Sequence, residues 1–330
     1  VTDELILTNS EVQDFMDCPR RWYLSVYRRL GKKNALWYNT ATSIGSVYHA
    51  GLAAYYGHQQ NPVEWAKHYY AEELVKIGGL PESEAGMHLN AFEKERQLVL
   101  TMLEGYMLYL EDEAPDEDLE VLGAEERIEV PLVGGNGEGG PITLRGKIDA
   151  PARWKSSPEI LLQLEHKTVG NFTDLPKYAQ VNPQFLTYDL MAYLRAMLLG
   201  EGQRIDGIII NMAKKVKRTV KANPPFFKRH EVRHNEEELR NHWKHLVGVG
   251  REIQRARARL DAGEDHHIVC PCRPNREAAW KCQFQGACLS GMIDDGSDFE
   301  GWLAANFVDR DPLERYDEKE KVYDAEELAL

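Results

Sequence analysis

No stretch of this sequence is apolar for long enough to span a bilayer, so no membrane partner is expected. The N-terminal VTDELILTNSEV has neither the basic start nor the apolar centre of a secretion signal, and an intracellular protein is expected. The phosphate-loop pattern G-x-x-x-x-G-K-[ST] is missing as well, which leaves no nucleotide-driven motor of that type. GGNGEGG at 134–140 does not replace it, because a strand rather than a helix follows. Basic residues are outnumbered, 40 Lys and Arg against 53 Asp and Glu, for a formal net charge of -13. That balance argues against a simple nucleic-acid coating protein, although a local basic track can coexist with distant acid. Two acidic stretches, EDEAPDEDLE at 111–120 and ERYDEKEKVYDAEELAL at 314–330, read as solvated.

Cysteine is scarce and unevenly placed. Of five, Cys18 stands alone near the start, whereas Cys270, Cys272, Cys282 and Cys288 crowd one short stretch. Disulfides are not expected inside a cell, and the crowding points to a metal or cluster site rather than scattered core thiols.

Periodicity divides the chain. Up to about residue 115 it is mainly helical. Ser10 with Gln13 reads as a capping box, with Phe15, Trp22 and Val26 spaced along the helix behind it. Further helices are predicted near 46–56, 63–77 and 88–111. Between 120 and 235 the period shortens. RIEVPLV and ITLRGKIDA read as strands joined by a turn at GGNGEGG. EILLQLEHKT reads as a central strand, a helix is predicted over 178–199, and RIDGIIINMAKK and FFKRHEVRH as further strands. A long helix over 236–262 leads to the cysteines within a 236–310 segment, and an acidic tail covers 311–330. The fold class is therefore α/β, a mixed central sheet flanked by helices, in one domain.

The chemistry concentrates on two strands. On EILLQLEHKT the two-residue period sends Glu165 and Lys167 one way, and Leu162, Leu164 and His166 the other. If ITLRGKIDA pairs with it, Asp149 comes near Glu165. Two adjacent carboxylates repel unless a cation neutralises them, and Mg2+ or Mn2+ is the natural oxygen-seeking partner. Such an ion can activate water, and a neighbouring lysine can stabilise charge developing on a phosphate. An E-x-K strand is also common as a solvated face, but the apolar run ILLQL marks this one as buried, where a Glu and a Lys need a reason.

The order Asp149, then Glu165-x-Lys167, then Gln184 and Tyr188 one helical turn apart resembles the RecB-like branch of the PD-(D/E)xK nucleases. GSVYHAGL, with His49, and TNSEVQDFMDCPRRWYL match two earlier elements of that pattern. The resemblance implies metal binding by His49, Asp149, Glu165 and the carbonyl of His166, with Lys167 catalytic alongside the two carboxylates. It assigns Gln184 and Tyr188 to DNA contact or support of the site. Relatives with an iron–sulfur cluster use one cysteine before the core and three after it, which implies a [4Fe–4S] cluster on Cys18, Cys282, Cys288 and one more. The usual position of that fourth ligand is occupied here by Ala278 and Ala279, so Cys272 or Cys270 must supply it, Cys272 being nearer. Structural Zn2+ is the competing occupant, although tight C-x-x-C pairs are missing.

A basic run, KKVKRTVKANPPFFKRH, offers Lys214, Lys215, Lys217, Arg218, Lys221, Lys228 and Arg229 to phosphates and Phe226 or Phe227 to a base. CPRRWYLSVYRR offers a second basic, aromatic patch. An ordinary solvated hairpin and helix would look the same. The expected activity is a DNA exonuclease acting at ends, in recombination, repair or phage DNA metabolism. The alternatives are a catalytically weak end-binding or adaptation factor and a structure-specific endonuclease. The compact pattern resembles phage recombination and CRISPR-associated exonucleases, which implies a cytoplasmic setting and a recombination or adaptation partner.

Overall fold

The computed structural model describes residues 4–33, 38–134, 140–200, 205–219, 221–272, 282–317 and 322–323. Ala278, Ala279, most of the 134–140 turn and most of the terminal acidic tail lie outside the described residues. In chain order the elements begin with β1 (Leu5–Thr8), α1 (Asn9–Asp17), α2 (Pro19–Trp22) and β2 (Leu30–Lys32). Three helices follow: α3 (Ala41–His58), α4 (Pro62–Gly78) and α5 (Glu82–Asp112). The strands β3 (Leu119–Val121), β4 (Glu126–Val133), β5 (Ile142–Ile148), β6 (Ala150–Trp154) and β7 (Ser157–Val169) come next. Then come α6 (Asp174–Tyr178), α7 (Pro183–Leu194), β8 (Ile205–Lys214), β9 (Phe227–Val232) and α8 (Glu236–Asp261). Among the described residues no helix is long and apolar enough to cross a membrane.

The chain forms two compact units, each drawn from three stretches: Val1–Ala35, Glu129–Gly146 and Leu239–Glu318 in one, Leu36–Ile128, Lys147–Glu238 and Lys319–Leu330 in the other. In the first, β1 lies parallel to β5, which neighbours β4. Gly250 lets α8 lie close on this sheet, since a Cβ there would meet Ile142 Cδ1 at 2.9 Å. The expected capping box is not the one formed. Thr8 caps α1 by accepting from the Glu11 amide, and the single predicted helix breaks at Cys18, where Pro19 opens α2. Trp22 is fully buried and donates to Glu11 Oε1 at 3.0 Å.

The second unit carries a mixed sheet in the order β3-β6-β7-β8-β9, in which β7 and β8 are parallel and the other pairs antiparallel. A parallel pair needs a crossover, and α7 lies in that connection. Alternation along β8 assigns its two faces. Ile208, Ile210 and Met212 pack with Phe185 of α7, whereas Ala213 joins Tyr48, Leu52, Leu103 and Tyr106 of α3 and α5. Helix α7 starts later than the periodicity suggests. Asn182 accepts from the Gln184 amide and Pro183 takes the first helical position, while α6 and a 3-10 turn occupy the residues before it. The acidic 111–120 stretch is not wholly solvated either, because Asp116 accepts from Arg229 and from Tyr56.

Candidate active site

Strand β7 brings the site together from inside the second unit. It has β6 on one side and β8 on the other, so its side chains stand on a sheet covered by helices. The pairing differs in detail from the sequence expectation. ITLRGKIDA breaks at Asp149: β5 ends before it, and β6 after it makes the antiparallel pairing, with Ala150 opposite Leu164. That break leaves Asp149 free to turn toward β7, where its Oδ2 accepts from the His166 amide at 2.7 Å. His49 on α3 places Nδ1 3.3 Å from the same oxygen. Burial alone would raise the Asp149 pKa, but His49 beside it, then His166 and Lys167, hold it well below the usual carboxylate range.

Glu165 is 2% exposed. Its Oε1 accepts from Lys167 Nζ at 2.6 Å and from Gln184 Nε2 at 3.1 Å, and Gln184 Nε2 also donates to Tyr188 Oη at 3.0 Å. The other oxygen, Oε2, is buried and has no hydrogen-bond partner among the described residues. Burial first, then repulsion from Asp149, push the Glu165 pKa up to about 7 against the pull of Lys167. His166 points to the opposite face. Its ring stacks on Tyr56 with centroids 5.6 Å apart, and Asn211 Nδ2 reaches its Nδ1 at 3.0 Å. Asn211 also donates to Tyr106 Oη at 2.7 Å, so His166 Nδ1 accepts and the ring is neutral; burial pulls its pKa down to about 3.

The basic run leaves the end of β8 in the same unit. Lys214 and Lys215 are half-buried, and Lys217 Nζ lies 3.2 Å from Gln97 Oε1. Arg218 lies over the rings of Phe226 and Phe227 at 4.9 and 5.5 Å. Phe227 is a core residue against Tyr106 and Tyr109, so it cannot serve as a base-stacking platform, and Arg229 is engaged by Asp116 and the Pro115 carbonyl rather than offered to a phosphate. The CPRRWYLSVYRR patch is neutralised within the other unit, where Arg20, Arg21, Arg28 and Arg29 pair with Asp294, Asp14, Glu300 and Asp309.

The cysteines lie in the first unit. Cys18, Cys272, Cys282 and Cys288 line one cavity of about 40 Å3 together with Leu24 and Phe284. Cys270 is fully buried and off this cavity. Burial raises the Cys272 and Cys282 thiols and pushes Cys288 up to about 12.

A mixed sheet thus sets an Asp and a Glu-x-Lys pair beside a helix-borne Gln and His. The chain belongs to the PD-(D/E)XK nuclease superfamily, which it matches over residues 6–289. Members of this superfamily usually use divalent metals such as Mg2+. No curated protein matches the chain. Among solved structures it is similar to a protein from Eubacterium rectale named "Putative exonuclease", at 14% identity and a TM-score of 0.40 over 79% of this chain and 82% of that one. It is also similar to SSO0001, at 12% identity and a TM-score of 0.27 over 76% and 78% of the two chains.

Proposed function

We propose that the protein is an exonuclease that hydrolyses phosphodiester bonds at DNA ends with Mg2+ or Mn2+, on the RecB-like branch that carries a cysteine-held [4Fe–4S] cluster. The observation that carries the nuclease reading is Glu165, a buried carboxylate with one oxygen held by Lys167 and Gln184 and the other without a partner among the described residues. Leaving a buried acceptor unpaired costs about 1–3 kcal/mol, and more when it is charged. A hard divalent cation supplies the missing partner and removes the repulsion from Asp149. His49, Asp149, Glu165 and the carbonyl of His166 would hold it. When bound, such an ion makes water nucleophilic and stabilises charge on the phosphate. Lys167 contributes a cation beside the reacting phosphate, and Gln184, braced by Tyr188, holds Glu165 Oε1 in place. Lys214, Lys215, Lys217 and Arg218 neutralise phosphates farther along the strand.

Four thiols around one cavity support a four-thiolate cofactor, with Cys272 as the fourth ligand. The ordered resemblance to phage and CRISPR-associated exonucleases supports action at ends, in recombination, repair or phage DNA metabolism, with a partner protein from those processes. End-labelled single- and double-stranded DNA, incubated with Mg2+ or Mn2+, tests the activity. Release of label from linear DNA and resistance of closed circles is expected, and Glu165→Ala and Lys167→Ala should each lower the rate about a hundredfold or more. Near-normal rates in both variants would overturn the site, and cleavage of circles would overturn the exonuclease reading.

A further inference from the structure

His234, two residues past β9, has no exposed side-chain surface, and the Asp189 side chain it meets is 4% exposed. His234 Nδ1 lies 2.6 Å from Asp189 Oδ2, and Nε2 lies 3.1 Å from the Gln180 carbonyl. A backbone carbonyl only accepts, so Nε2 donates to Gln180, and Nδ1 shares a proton with the Asp189 carboxyl in a buried acid–base pair. Sequestering such a pair from water is expensive, and the best-attested return is fixed geometry rather than stability.

What this pair fixes is α7. Asp189 follows Gln184 by five residues, about 140° around a helix of 3.6 residues per turn. The clamp therefore grips the back of α7 while Gln184 faces Glu165. Gln180 belongs to the turn that leads into α7, and its Nε2 donates to the Arg233 carbonyl and to Glu238 Oε1, both at 2.9 Å. From the front, Gln163 donates to the Tyr188 carbonyl at 3.2 Å. A rotation of about 20° would carry a side-chain tip, about 6 Å from the helix axis, by about 2 Å. That is enough to take Gln184 off Glu165.

We infer that His234 and Asp189 are positioning residues for the carboxylate site: they hold α7 in the rotation that keeps Gln184 on Glu165 and so aim Glu165 at the metal. The inference rests on the metal-dependent reading proposed above. It makes Mn2+ binding, followed by loss of the free-ion paramagnetic resonance signal, the direct readout, with the half-saturating Mn2+ concentration for DNA hydrolysis beside it. His234→Ala and Asp189→Ala should each weaken Mn2+ binding about tenfold or more, the usual cost of losing an outer support of a metal site. Gln184→Ala should do the same, and adding His234→Ala to it should cause no further loss, because the clamp acts through Gln184. Asp189→Asn, which keeps an acceptor and the shape, should fold normally and show a smaller loss in the same direction. Ile77→Ala, a core truncation in α4, controls for mere destabilisation and should leave Mn2+ binding within about twofold. Unchanged binding in the His234 and Asp189 variants, or losses that add fully to that of Gln184→Ala, would overturn the clamp. Glu165→Ala belongs in the same titration. If it binds Mn2+ like the parent, the carboxylate reading itself is wrong and the clamp falls with it.

Discussion

Glu165 is a group whose surroundings oppose the charge that the proposed metal site requires. Burial and Asp149 raise its pKa to about 7 from an ordinary 4.5. Between those values the folded protein retains a proton that the unfolded chain has released, so stability falls as pH rises across that window. Asp149, shifted the other way, is ionised in both states there and contributes no slope. His166, neutral when folded and protonated below about pH 6.5 when unfolded, adds the opposite slope in the same window, so the Glu165 contribution is read as a difference: melted in a chelator, Glu165→Gln, permanently neutral, should gain stability relative to the parent as pH rises from about 5 to 7. An equally steep profile in the variant would place the proton elsewhere. The shared face of Glu165 and Lys167 was legible in the sequence, because alternation on a strand is strict. The position of Asp149 was legible only in outline. It lies near Glu165, but at a break between two strands rather than within one pairing strand. Asp116 was misread as solvated, since a run of acidic letters carries no sign of the Arg229 that meets it. His234 and Asp189 gave no signal at all, 45 residues apart in unremarkable surroundings.

Elements with several apolar turns, such as α3, α4, α5 and α8, and the aliphatic strands β7 and β8, follow from composition and period. Short ones do not. Strands β1 and β3 have four and three residues, and their conformation comes from the neighbours they pair with. Helix starts depend on single residues, which is why α1 is capped by Thr8 rather than Ser10 and α7 begins only at Pro183. The cap of α7 is open to direct test. Asn182 Oδ1 accepts from the Gln184 amide at 2.9 Å, and Pro183 at the first position has no amide to satisfy. Asn182→Ala should therefore cost about 1 kcal/mol in urea unfolding, and Asn182→Asp, an equally good cap, almost nothing. Equal losses in both would show that Asn182 acts by something other than capping.

At the scale of the molecule, the sequence suggested a linear partition into helical part, core and cysteine segment, whereas contacts divide the chain into two interleaved units. No local pattern announces interleaving, because it depends on which distant segments bury one another's apolar faces. The consequence for the two sites is specific. Cys18 comes from the first stretch of one unit and Cys272, Cys282 and Cys288 from its last, while His49, Asp149, Glu165 and Lys167 all belong to the other unit. A cofactor on the four thiols closes a very long loop within its own unit, and releasing that loop restores conformational freedom to the unfolded chain. Protein purified without oxygen should be brown and carry about four irons per chain. Cys18→Ser and Cys272→Ser should lose the iron and melt earlier, whereas Cys270→Ser, off the cavity, should keep it. Mn2+ binding at the carboxylates should stay within about twofold in all three, since no thiol belongs to that cluster and the carboxylates are drawn from the other unit. Zinc in place of iron would replace the cofactor and leave the nuclease reading standing. Loss of Mn2+ binding together with the iron would show instead that the two units do not keep their chemistry apart.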